Sequence, residues 1–168
     1  MKEYQIIDIL NRPLKPDYTK LIVMCIIIIF YLIGRLTAST RAEINIYADE
    51  VADYYDIPHE IVRAIIEVES SYNIRAKSHK GAVGLMQVTE PAYKDYKRRN
   101  PSTYITNYSI VSSNWKANIA VGAWYFKRVC YNQTGNWKSA IVSYFWGVNH
   151  KSPTLVYYNK VKRSIKGS

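Results

Sequence analysis

A single glutamate ends an apolar helical stretch, and a loop of glycines and uncharged polar residues follows it. Glu69 closes residues 58–69, and Ser78, Gly81 and Gly84 lie within the next fifteen positions. A carboxylic acid can donate a proton to a leaving oxygen, while such a loop offers hydrogen-bonding groups without charge. The combination suits acid-catalysed cleavage of a neutral polymer such as a glycan.

The spacing of apolar residues predicts that Glu69 faces the core side of its helix. Four of them recur at helical intervals and form one stripe: Ile61, Val62, Ile65 and Ile66. Glu69 lies three residues after the last of these, in the middle of the same stripe. Desolvation on that face raises the pKa of a carboxyl group, and a proton retained near neutral pH would make Glu69 a usable general acid.

Two further interpretations concern this helix. Glu69 could instead be a structural residue that reaches water or binds backbone amides of the following loop. Glu67 falls on the opposite, exposed side, four residues after Arg63, and the spacing predicts an ion pair between them. Glu67 is therefore not expected to provide a second catalytic carboxylate.

A longer pattern begins at the end of this helix. Nine positions define it: Glu69, Ser70, Ser78, Gly81, Ala82, Gly84, Leu85, Met86 and Gln87. In this pattern the chain resembles the lytic transglycosylases of the goose-type lysozyme-like superfamily. The resemblance continues at residues 118–122, 140–147 and 157–161, and covers about residues 42–166. It implies an all-α or mainly α, lysozyme-like transglycosylase domain.

The resemblance also implies a reaction. Glu69 is then the single catalytic acid and base, and cleaves the β-1,4 bond between N-acetylmuramic acid and N-acetylglucosamine in peptidoglycan. The sugar's own C6 hydroxyl closes a 1,6-anhydro ring, so the second carboxylate of ordinary glycosidases is not required. Six residues are expected to line the glycan groove: Ser78, Met86, Gln87, Tyr144, Phe145 and Tyr157. The alternatives are a lysozyme-type hydrolase and a non-catalytic peptidoglycan-binding assembly protein on the same fold.

One groove position departs from the family pattern. Phe145 stands where the family has an asparagine after its tyrosine, here Tyr144. If Phe145 faces the groove, stacking replaces a polar contact and weakens discrimination between N-acetylated and de-acetylated glycans. If it packs into the core, as Ile141 four residues earlier suggests, Tyr144 must provide recognition alone. Ser78 and Gln87 have the alternative role of bracing the loop.

The N-terminal region carries an unbroken apolar run at residues 21–33, with Lys20 before it and Arg35 after it. Its length fits a membrane anchor extended by its flanks, or the core of a signal peptide. Three parts follow: a cytoplasmic tail (1–20), a transmembrane anchor or signal segment (21–38) and the transglycosylase domain (42–168). The basic residues before the run place the domain outside the inner membrane, facing the periplasm and the wall. Secretion after signal cleavage and a place in a phage virion are the alternatives.

The chain is strongly basic, with a formal net charge of +10. Its first twenty residues have four basic and three acidic side chains, so +9 remains for the rest. This charge suits an anionic cell wall or membrane surface, and no nucleic-acid motif accompanies it. The scattered histidines and two distant cysteines predict no metal, cofactor or disulfide. By resemblance, the expected protein partner is a secretion, conjugation or phage-entry assembly that needs local wall opening.

Helical spacing recurs elsewhere, and no segment alternates convincingly as a strand. Residues 44–55 and 119–130 carry apolar stripes. Asn136 is placed to cap one helix, and Pro153 to begin the last one. The basic, tyrosine-rich segment 93–108 is expected to be an ordered surface loop or short helices.

Overall fold

The computed structural model of the protein describes residues 18–147 and 155–167, except for the side chains of residues 33–39. The chain divides into two compact units, residues 1–40 and residues 41–168. The described parts of both units are built mainly from helices.

The first helix, α1, spans Thr19–Tyr54. Between residues 21 and 32 it is apolar, and its large side chains are exposed, from 47% for Ile26 to 71% for Phe30. Nowhere in the described part of the chain is a helix at once long and apolar enough to cross a membrane. Residues 1–17, most of the predicted cytoplasmic tail, lie outside the described residues.

The second unit adds the further helices. Helices α2 to α7 are His59–Ser70, Glu90–Arg99, Tyr108–Ser113, Trp115–Tyr125, Trp137–Trp146 and Val156–Lys166. A π-helical segment, Phe126–Tyr131, continues α5, and one helical turn, Asn132–Thr134, follows it. Within the described residues there is no β-strand, only isolated bridges that join Val83 to Lys77 and to Val88. The predicted all-α class is confirmed for this part of the chain.

The predicted apolar stripes form the core of the second unit. The buried residues of α1 are Ile44, Ala48, Val51 and Ala52. In α2 the four stripe residues are each at most 5% exposed. Helix α7 packs against both α2 and α6. Helix α2, which carries Glu69 in its last turn, therefore lies against α7, whose Tyr157 comes 88 residues later in the chain.

Helix starts follow local capping chemistry. The side chain of Asn136 accepts a hydrogen bond of 2.8 Å from the backbone N–H of Ser139, which caps α6 as predicted. Asn114 caps α5 in the same way, through the N–H groups of Lys116 and Ala117. Pro153, predicted to begin the last helix, lies outside the described residues.

The tyrosine-rich segment 93–108 forms short helices and contributes to the core. Tyr93 and Tyr96 on α3 are buried, and Ile105 is completely buried. Tyr96 meets Trp124 edge to face, with 5.3 Å between ring centroids. Residues 93–99 and 108 are helical, whereas residues 100–107 form a loop in which Tyr104 is 66% exposed, so both predicted forms occur in this segment.

The predicted ion pair between Arg63 and Glu67 does not form. Arg63 instead binds Asp49 on α1, with its Nε donating at 2.7 Å. Glu67 accepts a hydrogen bond from Arg41, also on α1. Arg63 and Glu67 thus each pair with a residue of α1 rather than with each other, because α1 brings oppositely charged side chains within hydrogen-bond distance.

Candidate active site

Glu69 lies in the last turn of α2, and the backbone turns away directly after it. The hydroxyl of Ser70 donates to the carbonyl of Ile66 at 3.0 Å. Ser71 and Tyr72 then adopt left-handed backbone conformations, with φ of 49° and 62°. These turns end the helix and leave Glu69 at its carboxyl end, partly buried next to the apolar stripe.

Tyr157 is the hydrogen-bond partner of the candidate acid. Its hydroxyl donates to Oε1 of Glu69 at 2.6 Å, and its side chain is only 4% exposed. Burial raises the pKa of Glu69, while the hydrogen bond from Tyr157 and the charge of Lys160 act in the opposite direction. The net direction is upward, so Glu69 is suited to keep a proton and donate it.

Tyr144 lies close enough to Glu69 to sense its charge. Burial of its hydroxyl, together with Glu69, raises the pKa of Tyr144 well above the ordinary value. The same two causes raise the pKa of Tyr157. Both phenols are therefore neutral hydrogen-bond donors near neutral pH. The hydroxyl of Tyr144 donates to the carbonyl of Met86 at 2.7 Å.

The loop after α2 is held by two small bridges and a buried asparagine. Asn118 on α5 is completely buried, and its Oδ1 accepts a hydrogen bond from the backbone N–H of Met86 at 2.9 Å. Its Nδ2 donates to the carbonyl of Val83 at 2.8 Å and to that of Val111 at 3.2 Å. Every polar atom of this side chain is satisfied, so the amide clamps the loop to α5.

Gly84 is required where the loop meets this amide. Its φ is +73°, and a Cβ there would lie 2.4 Å from Nδ2 of Asn118. Gly122 has a matching role on α5, where a Cβ would lie 2.7 Å from the side chain of Met86. Gly84 and Gly122 thus allow close contact between the loop and α5.

Ser78 and Gln87 are engaged inside the loop. Oγ of Ser78 accepts a hydrogen bond from the N–H of Ala82 at 3.0 Å. Gln87 has a left-handed backbone with φ of 47°, and its Nε2 donates to the carbonyl of Gly84 at 3.0 Å. Both side chains brace the loop, as the alternative interpretation expected, and both are half-buried.

Met86 does not offer its side chain to a ligand. It is fully buried against Gly122, and its backbone N–H and carbonyl are bound by Asn118 and Tyr144. The expectation that Met86 lines a binding groove is therefore corrected: its side chain belongs to the core, because the loop folds back onto α5.

Phe145 points away from the core. It is 52% exposed, whereas Ile141, one turn earlier, is 3% exposed. Its ring stacks on Tyr157 with centroids 4.7 Å apart and planes 16° from parallel. Trp146 meets its edge at 5.0 Å. The core-packing alternative for Phe145 is wrong, since the helical stripe of α6 ends before this residue.

These features give Glu69 a hydrogen bond from Tyr157 and a second neutral tyrosine, Tyr144, near enough to sense its charge, on a helical scaffold. A family model, the transglycosylase SLT domain, matches residues 46–165. The chain belongs to this family. An X-ray structure of an inactive mutant of the lytic transglycosylase Slt from Pseudomonas aeruginosa is similar, with a TM-score of 0.53 and 19% sequence identity. The match covers 71% of this chain and 21% of that enzyme, so this chain spans about a fifth of its length and the likeness shows a shared fold.

Two residues that hold the loop of the SLT domain, Asn118 and Tyr108, were not predicted from the sequence to belong to the site. Asn118 had a visible signal, since an asparagine between Ala117 and Ile119 interrupts an apolar face. Tyr108 had none: its hydroxyl lies 2.9 Å from the carbonyl of Gly81 and 2.8 Å from that of Val88, across the loop. Both residues act on the loop from outside it, which local spacing does not reveal.

In the part of the SLT domain that the structure describes, the side chains that influence the pKa of Glu69 lie on α7. The groups that act on the proton equilibrium of Glu69 are Tyr157 and Lys160, and no described carboxylate is among them. No three described His, Cys, Asp or Glu side chains come together as metal ligands. The described surroundings thus leave Glu69 with a pKa that burial raises and that Tyr157 and Lys160 lower in part.

Proposed function

We propose that the protein is a peptidoglycan lytic transglycosylase with Glu69 as its only catalytic acid and base. The observation that carries the proposal is the partly buried Glu69, whose pKa is raised and which accepts a hydrogen bond from Tyr157. Membership of the transglycosylase SLT domain family supports the same activity.

In the proposed reaction, Glu69 protonates the glycosidic oxygen between N-acetylmuramic acid and N-acetylglucosamine. The bond breaks with an oxocarbenium-like transition state at the muramic acid. The ionised Glu69 then takes the proton of that sugar's C6 hydroxyl, whose oxygen closes the 1,6-anhydro ring. One carboxyl group is sufficient because the substrate provides the nucleophile.

The contacts around Glu69 suggest different roles for the groove residues. Phe145 exposes a ring beside Tyr157 and is the best placed to touch a sugar face. Ser78 and Gln87 hold the loop and present backbone groups of the glycine-containing turn to the glycan. Tyr144 fixes the loop through Met86 and contributes a neutral wall next to the acid.

The test is cleavage of purified peptidoglycan by wild type and by Glu69→Gln. The variant should keep its fold and lose wall lysis by about 10²-fold or more, because general acid catalysis is removed. Glu67→Gln is the matched control on the same helix and should lyse the wall normally. Near-normal lysis by Glu69→Gln would sink the assignment of the acid.

The product distinguishes the two reactions that this fold can support. Mass spectrometry of the soluble fragments should find 1,6-anhydromuropeptides, which weigh 18 Da (one water) less than hydrolysis products. Fragments with only free reducing ends would show a lysozyme-type hydrolase instead. Binding without any release of fragments would favour the non-catalytic assembly protein.

We further propose that residues 21–38 bring the protein to the inner membrane, with the SLT domain on the periplasmic side for local wall opening. The exposed apolar side chains between residues 21 and 32 support an apolar surrounding for this segment. Fractionation of cells tests it: an anchor leaves the full-length chain in membranes, and a cleaved signal leaves a soluble domain. A full-length chain that is soluble in the cytoplasm would contradict both.

A further inference from the structure

An exposed aromatic ring contacts the tyrosine that donates a hydrogen bond to the candidate acid. Phe145 on α6 stacks on Tyr157 of α7, and the hydroxyl of the same Tyr157 donates to Glu69 at 2.6 Å. The three side chains form a continuous series from the surface to the carboxyl group at the end of α2. Phe145 has no hydrogen-bonding group of its own, and its contact within this series is with the ring of Tyr157.

We propose that Phe145 is a positioning residue, whose ring holds Tyr157 in the orientation that keeps its hydroxyl on Glu69. The proposal rests on the proposed function for its catalytic consequence, whereas the contact between the two rings does not depend on it.

The geometry of the stack explains how such a role works. A tyrosine ring turns about two side-chain bonds, and a small tilt moves its hydroxyl out of hydrogen-bond range. The Phe145 ring lies 16° from parallel to Tyr157 at 4.7 Å, which restricts that tilt on one face. An asparagine, the residue of the family pattern at this position, has no flat ring with which to do so.

The charged and titratable groups around Glu69 determine how its pKa would change if the hydrogen bond from Tyr157 were lost. From α7 these are Tyr157 and Lys160, and from α6 Tyr144. A hydrogen bond donated to a carboxylate stabilises the ionised form. If the hydrogen bond from Tyr157 is loosened, Glu69 should therefore hold its proton more tightly. The ionised Glu69, which acts as the base in the second half of the proposed reaction, also loses a contact that orients it.

The test compares replacements at position 145 that keep or lose the flat ring. Phe145→Leu keeps an apolar cover of similar size, and Phe145→Tyr keeps the stack. We expect Phe145→Leu to move the titration of Glu69 upward by about half a pH unit to one pH unit, since a hydrogen bond to a charged group is worth that much or more. Phe145→Tyr should titrate as wild type.

The readouts are NMR titration of 13C-labelled glutamate side chains in the whole protein and the pH profile of wall cleavage. Tyr157→Phe should raise the titration of Glu69 at least as much as Phe145→Leu. Adding Phe145→Leu to Tyr157→Phe should produce no further shift, because Phe145 acts through the hydroxyl that is already missing.

Two results would overturn the proposal. An unchanged titration in Phe145→Leu, with lower thermal stability, would make Phe145 a packing residue only. A downward shift would make it a shield against water, since easier hydration favours the carboxylate. If wild type cleaves no wall at all, the proposed function fails while the NMR titration still decides the role of Phe145.

Discussion

The pKa of Glu69 is raised by burial, and no described carboxylate contributes to the shift. Burial disfavours its charged form and raises its pKa, and the contributions of Tyr157 and Lys160 reduce that effect without reversing it. Such a group can donate a proton and later accept one. The same burial makes the ionised form costly for the fold, so activity and stability place opposite demands on this residue.

Replacing Glu69 by glutamine should therefore stabilise the protein at neutral pH. Between the ordinary pKa of a glutamate and the raised pKa of Glu69, the folded state holds a proton that the unfolded state has lost. Wild type loses stability as the pH rises through this window, and Glu69→Gln has no such proton to lose. Thermal unfolding should give wild type and Glu69→Gln equal Tm values at about pH 4, and Glu69→Gln the higher Tm at about pH 7.

Glu67→Gln is the control for this measurement. Glu67 is paired with Arg41 near the protein surface, so removal of its charge should not produce a gain that grows with pH. A Tm difference between Glu69→Gln and wild type that stays constant across the pH range would contradict the raised pKa of Glu69.

At the scale of elements, the site depends on how the loop after α2 is attached to α5. Asn118 holds Met86 and Val83, and Gly84 leaves room for its amide. Tyr144 holds the same loop from α6. The loop also has backbone hydrogen bonds of its own, so these side chains attach an already turned segment to the helices.

Asn118→Ala should destabilise the domain and disturb the loop. It removes three hydrogen bonds and leaves the N–H of Met86 without its acceptor, which should cost about 2–3 kcal/mol of unfolding free energy. Wall cleavage should fall even at temperatures where the variant is folded. Chemical denaturation and cleavage rates measure the two effects separately.

Asn114→Ala is the matched variant on the same helix. It removes only the cap of α5, which should cost about 1 kcal/mol, and should leave the cleavage rate of the folded protein unchanged. If the folded Asn118→Ala variant cleaves as fast as Asn114→Ala, the loop does not need this clamp.

At the scale of the whole molecule, the distribution of charge differs between helices. On α3, Lys94 pairs with Glu90 at 3.0 Å and Arg98 with Asp95 at 2.7 Å. Helix α7 has no acidic residue and carries Lys160, Lys162, Arg163 and Lys166, of which Lys160 acts on Glu69. A basic helix suits a substrate whose peptides carry carboxylates, because it attracts them over several ångströms.

Neutralising Lys162 and Lys166 together should weaken association with insoluble peptidoglycan several-fold at low salt. The control is the double variant Lys94→Gln, Arg98→Gln, which removes the same number of positive charges from residues that already pair with carboxylates. It should lose less binding than the Lys162 and Lys166 variant. Sedimentation with purified wall, in a Glu69→Gln background that prevents digestion, measures both. The difference should vanish near 0.5 M salt, where the Debye length is roughly 4 Å. Equal losses in the two double variants would mean that net charge alone matters.

The amino-acid sequence by itself determined the helical class, the buried stripes of α1 and α2, the cap at Asn136 and the place of Glu69 at the end of α2. These are local properties, since apolar spacing and capping involve residues within one or two turns. The π-helical segment after α5 escaped the same reasoning, because it continues the helix directly and contains no glycine or proline to mark the change.

Only the tertiary structure decided what surrounds the acid. Tyr157 comes 88 residues after Glu69, and the packing of α7 on α2 brings its hydroxyl to the carboxyl group. Other tertiary contacts placed Met86 in the core, left Phe145 outside it and paired Arg63 with α1 rather than with Glu67. Contacts of this kind depend on how helices pack against one another, and a one-dimensional pattern of spacing does not contain that information.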